Sequence, residues 1–202
     1  MKTSAPAQSS DTRDSILANG QRIIAGKGFA AVGLNEILTA AGVPKGSFYH
    51  YFGSKDAFGE AMLDTYFTAY QAEVDATLNA PGKNPVEQVL DYFSQWQANQ
   101  SFEECQGKCL AVKLGAEVPD LSEAMRLALK RGTAGVIERL AGGIERAIGE
   151  GLLRINGMPY AVAESLYQLW MGASVMVKIH RSLQPFDTAM VTTRALLGLP
   201  PR

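Results

Sequence analysis

An all-α fold is predicted by three features of the 202-residue sequence. Apolar residues recur at three- and four-residue spacing almost throughout. No stretch alternates in the manner of a half-buried strand, and no internal repeat is present. Glycine- and proline-bearing breaks separate the periodic stretches, most clearly at Pro81-Gly82-Lys83-Asn84-Pro85. Hydrophobic residues make up 47% and charged residues 19%, a balance that suits a folded chain and not a disordered one.

About nine helices are expected. The first spans residues 11–27, with Asp11 as N-cap and Ile16, Leu17, Ile23 and Ile24 as one apolar stripe. Gly26 and Gly28 end it and Phe29 packs back. A short helix follows at 34–41, with Leu34, Ile37 and Leu38 inward, and Gly42 breaks it. Val43-Pro44 opens a helix over 45–52, which Gly53-Ser54 stops. Ser54 caps a long fourth helix over 55–79. The remainder reads as helices at 86–100, 108–116, 121–150, 159–182 and 186–199, with Asp120 and Glu123 resembling a capping box. Residues 1–10 are expected to be a flexible tail, 11–55 a three-helix head, and 56–202 a larger helical body.

The net charge of −1 conceals a split: residues 1–55 carry a net +3 and the remainder a net −4. A basic head on an acidic body suggests a polyanion as the partner of the head. No secretory leader is expected in "MKTSAPAQSS", which lacks an apolar core. The longest uncharged apolar stretch, 165–177, is too short to span a bilayer, so no membrane partner is expected. Two cysteines are too few for a disulfide scaffold. The two histidines, His50 and His180, are too far apart in sequence to suggest a metal set. No metal or cofactor is expected, and the compartment reads as reducing cytoplasm.

The short helices joined through Ala41-Gly42-Val43-Pro44 form a helix-turn-helix pattern, in which the second helix enters the major groove N-terminus first. That helix lies in "VPKGSFYHYFGSK" (43–55). Phe48 and Phe52, four apart, share the inward face, with Tyr51 partly buried beside them. Lys45, Gly46, Ser47, Tyr49 and His50 are left outward as candidate contacts to bases or phosphates. Lys55, at the start of the next helix, is a further phosphate candidate. The competing reading is a set of solvated polar residues on an ordinary small helix.

The stretch "GFAAVGLNEILTAAGVPKGSFYHYFGSKDAF" (28–58) resembles the DNA-binding head of the tetracycline-repressor (TetR) family of bacterial transcription regulators. The motifs carrying the likeness are Gly28-Phe29, Ala41-Gly42-Val43, Lys45-Gly46-Ser47, Phe48-Tyr49-His50-Tyr51-Phe52 and Ser54-Lys55. One departure is Val32-Gly33, where the family usually has a capping Thr or Ser, so no phosphate contact is assigned there. "GKCLAVKLGAEVPDLSEAMR" (107–126) and "LYQLWMGASVMVKIHRS" (166–182) look like the branch containing the repressor of bacterial N-ethylmaleimide reductase, which is associated with electrophiles, quinones and oxidants. The resemblance implies a homodimer, with the last two long helices forming a four-helix interface and an effector pocket in the body. Its DNA partner would be a double-stranded operator.

Cys109 follows Gly107-Lys108 at an expected helix start, where backbone donors and the charges of Lys108 and Lys113 favour a thiolate. A thiolate oxidised to the sulfenic acid can be captured by a nearby nucleophile. Cys105 is one candidate partner and Lys178, placed after an apolar run, is another. The resemblance pairs the regions of Cys109 and Lys178. The plainer alternatives are a small buried cysteine and a lysine that snorkels to solvent. Phe93, Trp96, Trp170, Met171 and Met176 can line a pocket or fill a core. Gly172-Ala173-Ser174 would let two helices approach, and Glu117 can pair with a lysine or stay solvated.

The expected function is DNA-binding repression relieved by a reactive electrophile or oxidant at Cys109, and not enzymatic. A repressor with a non-covalent inducer is the first alternative. A thiol-dependent enzyme lacks a visible Cys-His-Asp arrangement or phosphate loop, and a helical module that binds only protein is the last alternative.

Overall fold

The computed structural model describes residues 6–99 and 109–200, and among these the regular structure is helical. The helices are α1 (Pro6–Lys27), α2 (Leu34–Ala41), α3 (Lys45–Phe52), α4 (Lys55–Leu78), α5 (Pro85–Asn99), α6 (Leu110–Leu114), α7 (Glu123–Gly149), α8 (Pro159–His180) and α9 (Gln184–Leu196). A 3-10 turn over Val118–Asp120 precedes α7. No described helix is long and apolar enough to cross a membrane.

Two compact units emerge, and they are cut differently from the expected head and body. One comprises residues 1–67 and 106–132; the other comprises 68–105 and 133–202. Helices α4 and α7 each contribute to both.

In the first unit α1 packs on α2 and α3. Ile16, Ile24, Ile37, Phe48 and Phe58 are fully buried there, and Phe52 nearly so. The rings of Phe48, Phe52 and Phe58 meet at centroid distances of 5.2–5.6 Å, in the tilted and edge-on arrangements that aromatic pairs prefer. Arg13 of α1 lies over the Phe52 ring at 5.5 Å. Ala57 N–H donates to Ser54 Oγ at 3.1 Å, so Ser54 caps α4 as the sequence suggests.

Gly20 lets α1 approach Phe58. A Cβ at residue 20 would lie 2.3 Å from Phe58 Cζ, and that ring is already held by Phe48 and Phe52. Alanine improves helix propensity by about 1 kcal/mol, but overpacking costs about 1–3 kcal/mol. Gly20→Ala is therefore expected to lower the melting temperature by about 2–4 °C. Thermal unfolding followed by circular dichroism measures it.

In the second unit α8 packs on α9. The core is aromatic: Trp170 is stacked between Phe93 at 5.0 Å and Phe186 at 5.4 Å, with Trp96 and Tyr167 alongside. Hydrogen bonds run through this cluster. Trp96 Nε1 donates to Ser174 Oγ at 2.9 Å, and Ser174 donates to the Trp170 carbonyl at 2.8 Å. Trp170 Nε1 donates to Thr193 Oγ1 at 2.9 Å, and Thr193 donates to the Ala189 carbonyl at 2.7 Å. Each buried polar atom in the series is satisfied, as burial requires.

Several element boundaries differ from the sequence reading. Helix α1 begins at Pro6, so residues 6–10 are helical and Asp11 lies inside the helix. Proline is accommodated in a first turn, and nothing from Ala7 to Ser10 breaks the helix. Helix α7 is capped by Ser122 and not Asp120: Met125 N–H donates to Ser122 Oγ at 3.4 Å, because Asp120 is taken up in the preceding turn. Arg126 instead pairs with Glu123 at 2.6 Å, which holds that carboxyl below its usual range through the hydrogen bond. Asn84, within the expected break, caps α5. Its Oδ1 accepts from Val86 and Glu87 N–H at 3.0 Å, while Asn84 N–H donates to Glu87 Oε2 at 2.9 Å. That reciprocal box starts α5.

Candidate nucleic-acid interface

Helix α3 is placed by the turn before it. Gly42 adopts φ 66°, and its N–H reaches the carbonyls of Leu38 and Thr39 to close α2. That left-handed conformation suits glycine because no Cβ meets the neighbouring carbonyl. Val43 N–H returns to the Leu38 carbonyl at 3.1 Å, which fixes the angle at which α3 leaves. Gly33 stands at the N-cap of α2 without a side-chain bond, as Val32-Gly33 implies.

On α3 the inward and outward residues separate as expected except at Ser47, which is half-buried and not outward. Phe48 is fully buried and Phe52 is 7% exposed. Lys45, Gly46, Tyr49 and His50 are exposed, while Ser47 and Tyr51 are half-buried. Residues 45, 46, 49 and 50 share one side of a helix by their spacing. Tyr49 is 50% exposed, with its ring edge against Phe48 at 5.5 Å. No acidic residue lies between Glu36 and Asp56, and Glu36 is occupied by Lys27 at 2.5 Å. The outward side of α3 is thus free of carboxylates that would repel phosphate.

Lys55 differs from the other candidates. Its ammonium donates to the Phe29 carbonyl at 2.8 Å and lies 4.4 Å from the centre of the Phe29 ring. It ties the start of α4 to the α1–α2 connection, a role the sequence did not suggest.

That connection is gripped from another side as well. Phe29 N–H donates to Glu117 Oε2 at 3.1 Å, and Ala30 N–H donates to Glu117 Oε1 at 2.6 Å. Lys113 Nζ donates to the Gly26 carbonyl at 3.1 Å. Glu117 is thus an acceptor for two backbone N–H groups, neither the lysine partner nor the solvated carboxylate expected.

Cys109 is half-buried and precedes α6 at its N-cap. Helix α6 has five residues where nine were expected, so its dipole offers the sulfur little. Cys105 and Lys108 lie outside the described residues. Lys178 is exposed on α8, so the apolar run before it does not carry its ammonium inward. Cys109 belongs to the first compact unit and Lys178 to the second. The pocket candidates Phe93, Trp96 and Trp170 form the packed aromatic core, whereas Met176 is 41% exposed. Ala173 and Ser174 are buried within the unit and Gly172 is exposed. Among the described residues no group of three or more His, Cys, Asp or Glu could hold a metal ion.

A short outward-facing basic helix, backed by phenylalanines and following a glycine turn, defines a helix-turn-helix DNA-binding regulator. Residues 16–62 match the model for bacterial regulatory proteins of the tetR family, and residues 85–193 match the tetracycline-repressor-like C-terminal domain. The chain belongs to the TetR family. It is 41% identical over 194 residues to the HTH-type transcriptional repressor NemR of Escherichia coli K12, covering 94% of this chain and 96% of that one. It is 30% identical over 191 residues to the HTH-type transcriptional repressor DhaR of Mycobacterium sp. GP1, covering 92% of each. The crystal structure of reduced E. coli NemR superposes with a TM-score of 0.86 at 40% identity, covering 94% of this chain and all of that one. The resemblance read from residues 28–58 and from the two body segments is met in both comparisons.

Proposed function

We propose that the protein is a homodimeric transcriptional repressor that binds operator DNA through α3 and releases it when an electrophile or oxidant modifies Cys109. The observation that carries the DNA reading is the outward array Lys45, Gly46, Tyr49 and His50 on a helix anchored by Phe48 and Phe52. Lysine would neutralise phosphates, the tyrosine hydroxyl and the imidazole would hydrogen-bond to them, and glycine and the half-buried Ser47 would allow close backbone approach. Likeness to NemR, itself named a repressor, supports repression as the direction of control.

Dimerisation through α8 and α9 is supported by their outward apolar residues. Val175, Met176 and Ile179 on α8 are 44%, 41% and 65% exposed, and Val191 on α9 is 56% exposed. Residues 175, 176 and 179 share one face of α8. Two heads carried on a two-fold pair would enter successive major grooves roughly 34 Å apart.

The sensing role of Cys109 is supported by its partial exposure, which lets a small reagent reach the sulfur, and by its place on the segment that grips the α1–α2 connection. With a quinone, the thiolate sulfur would form a bond to a ring carbon. The displaced electron pair would move to the carbonyl oxygen, which takes a proton from water. Lys178 and Cys105 stand as candidate partners for an oxidised sulfur.

The test begins with duplexes selected from random DNA. Cys109→Ser is expected to bind the selected duplex as tightly as the native chain and to stay bound after quinone or oxidant treatment, while the native chain is released. Equal release of both proteins sinks the thiol reading and favours a non-covalent inducer.

A further inference from the structure

We infer that Glu117 is a positioning residue for DNA recognition: its carboxylate reaches from the segment that begins at Cys109 and holds the backbone that presents the α2–α3 reader. The inference rests on the DNA reading above and does not require Cys109 to be the sensor.

The argument starts at the end of α1. A helix terminus and the turn after it leave backbone groups without helical partners. Here Gly28 closes α1, its N–H reaching the Ile24 carbonyl at 2.7 Å, and adopts φ 94°. The next two N–H groups, of Phe29 and Ala30, point the same way and form a small anion-binding concavity. A nearby Asp or Ser would satisfy such a pair locally. Instead the acceptor is a carboxylate 87–88 residues further along the chain, each oxygen taking one N–H, at 3.1 and 2.6 Å.

Three further observations show that the arrangement is fitted. A Cβ on residue 28 would come 2.8 Å from Glu117 Oε2 and push the carboxylate off its two bonds, and φ 94° itself favours glycine there. The Phe29 carbonyl is held at 2.8 Å by the Lys55 ammonium. The residue is thus gripped through its N–H by a negative group and through its C=O by a positive one. Lys113, on the same segment as Glu117, holds the Gly26 carbonyl at 3.1 Å. Four residues after Ala30 the chain enters α2, whose N-cap makes no side-chain bond of its own. With no local cap there, the orientation of α2 and of α3 behind it depends on how the connection is held as well as on their packing against α1. Bonds to an ionised acceptor are stronger than neutral ones, so this contact is suited to the task.

The test uses the full-length chain, Glu117→Gln and Glu117→Ala. In the glutamine variant the side chain keeps its shape but sets an NH2 donor against one backbone donor. Three quantities are read: affinity for the selected duplex across a salt series, amide hydrogen exchange at Phe29 and Ala30, and thermal unfolding. Both variants are expected to bind about tenfold or more weakly. Exchange at Phe29 and Ala30 should accelerate, and the salt slope should stay unchanged because the number of phosphate contacts is unchanged. The glutamine variant should melt only a few degrees below the native chain and stay fully folded at the assay temperature.

Affinity within twofold of the native chain in both variants overturns the inference. So does unaltered exchange at the two amides, or an affinity loss that merely tracks a fall in melting temperature. A native chain that selects no duplex fails the DNA reading itself, and the inference falls with it. Native binding with unaffected variants fails the Glu117 role alone.

Discussion

Replacing Trp170 by alanine is expected to destabilise the second unit by about 3–5 kcal/mol, the largest single-residue effect on stability anticipated in this chain. The indole is fully buried and stacked on both faces, by Phe93 and by Phe186. Truncation removes those contacts, leaves a cavity that rigid aromatic neighbours cannot close, and deprives Thr193 Oγ1 of its donor at 2.9 Å. Trp170→Phe separates these contributions. It keeps much of the stacking and loses the indole N–H, and because Thr193 still donates to Ala189 the cost should fall to about 1–2 kcal/mol. Chemical denaturation at a fixed protomer concentration measures both, since stability of a dimer depends on concentration. A loss below about 1 kcal/mol for the alanine variant would mean that the site is a loosely filled pocket and not a core.

Reversing the charge at Lys45 should have the largest effect on DNA binding. Lys45 is the first residue of α3 and exposed, so Lys45→Glu disturbs no packing and should leave the melting temperature within experimental error. In a dimer the change occurs twice. Affinity for the selected duplex is expected to drop about a hundredfold or more at physiological salt, and the slope of log affinity against log salt should flatten by about two. Titration of labelled duplex across a salt series measures both quantities. An unchanged slope would remove Lys45 from the phosphate contacts. Lys55 is unsuitable for this purpose. Its ammonium is engaged with Phe29, so reversing it would disturb the head even if the residue never touches DNA.

The parts of the architecture that were legible in the sequence have local causes. The limits of α2 and α3 follow from Gly33, Gly42, Pro44 and Gly53, residues whose backbone preferences act within a few positions. The division of α3 into buried Phe48 and Phe52 and outward Lys45, Tyr49 and His50 follows from helical spacing alone. The start of α5 has an equally local cause in Asn84, whose cap lies inside the break over residues 81–85.

What the sequence could not convey is long-range. Glu117 finds its partners in backbone N–H groups, which every residue but proline carries, so no residue type at positions 29 and 30 announces the contact. Lys55 is engaged by a backbone carbonyl for the same reason. Lys178 was open to two readings, inward or snorkelling to solvent, and its exposure agrees with the second. The apolar run before it left both open, and α8, amphipathic about Trp170 and Val177, puts residue 178 on the flank of its exposed side. The expected dipole at Cys109 assumed a helix of nine residues. Gly115 and the turn at Val118–Asp120 cut it to five.

The chain has only two tryptophans, and their ring centres lie 6.2 Å apart within a single compact unit. Intrinsic indole emission therefore watches one half of the molecule directly. A denaturation curve followed that way reports on the first unit only through the shared helices α4 and α7, so any claim of all-or-none unfolding here needs a second optical probe placed among residues 11–67.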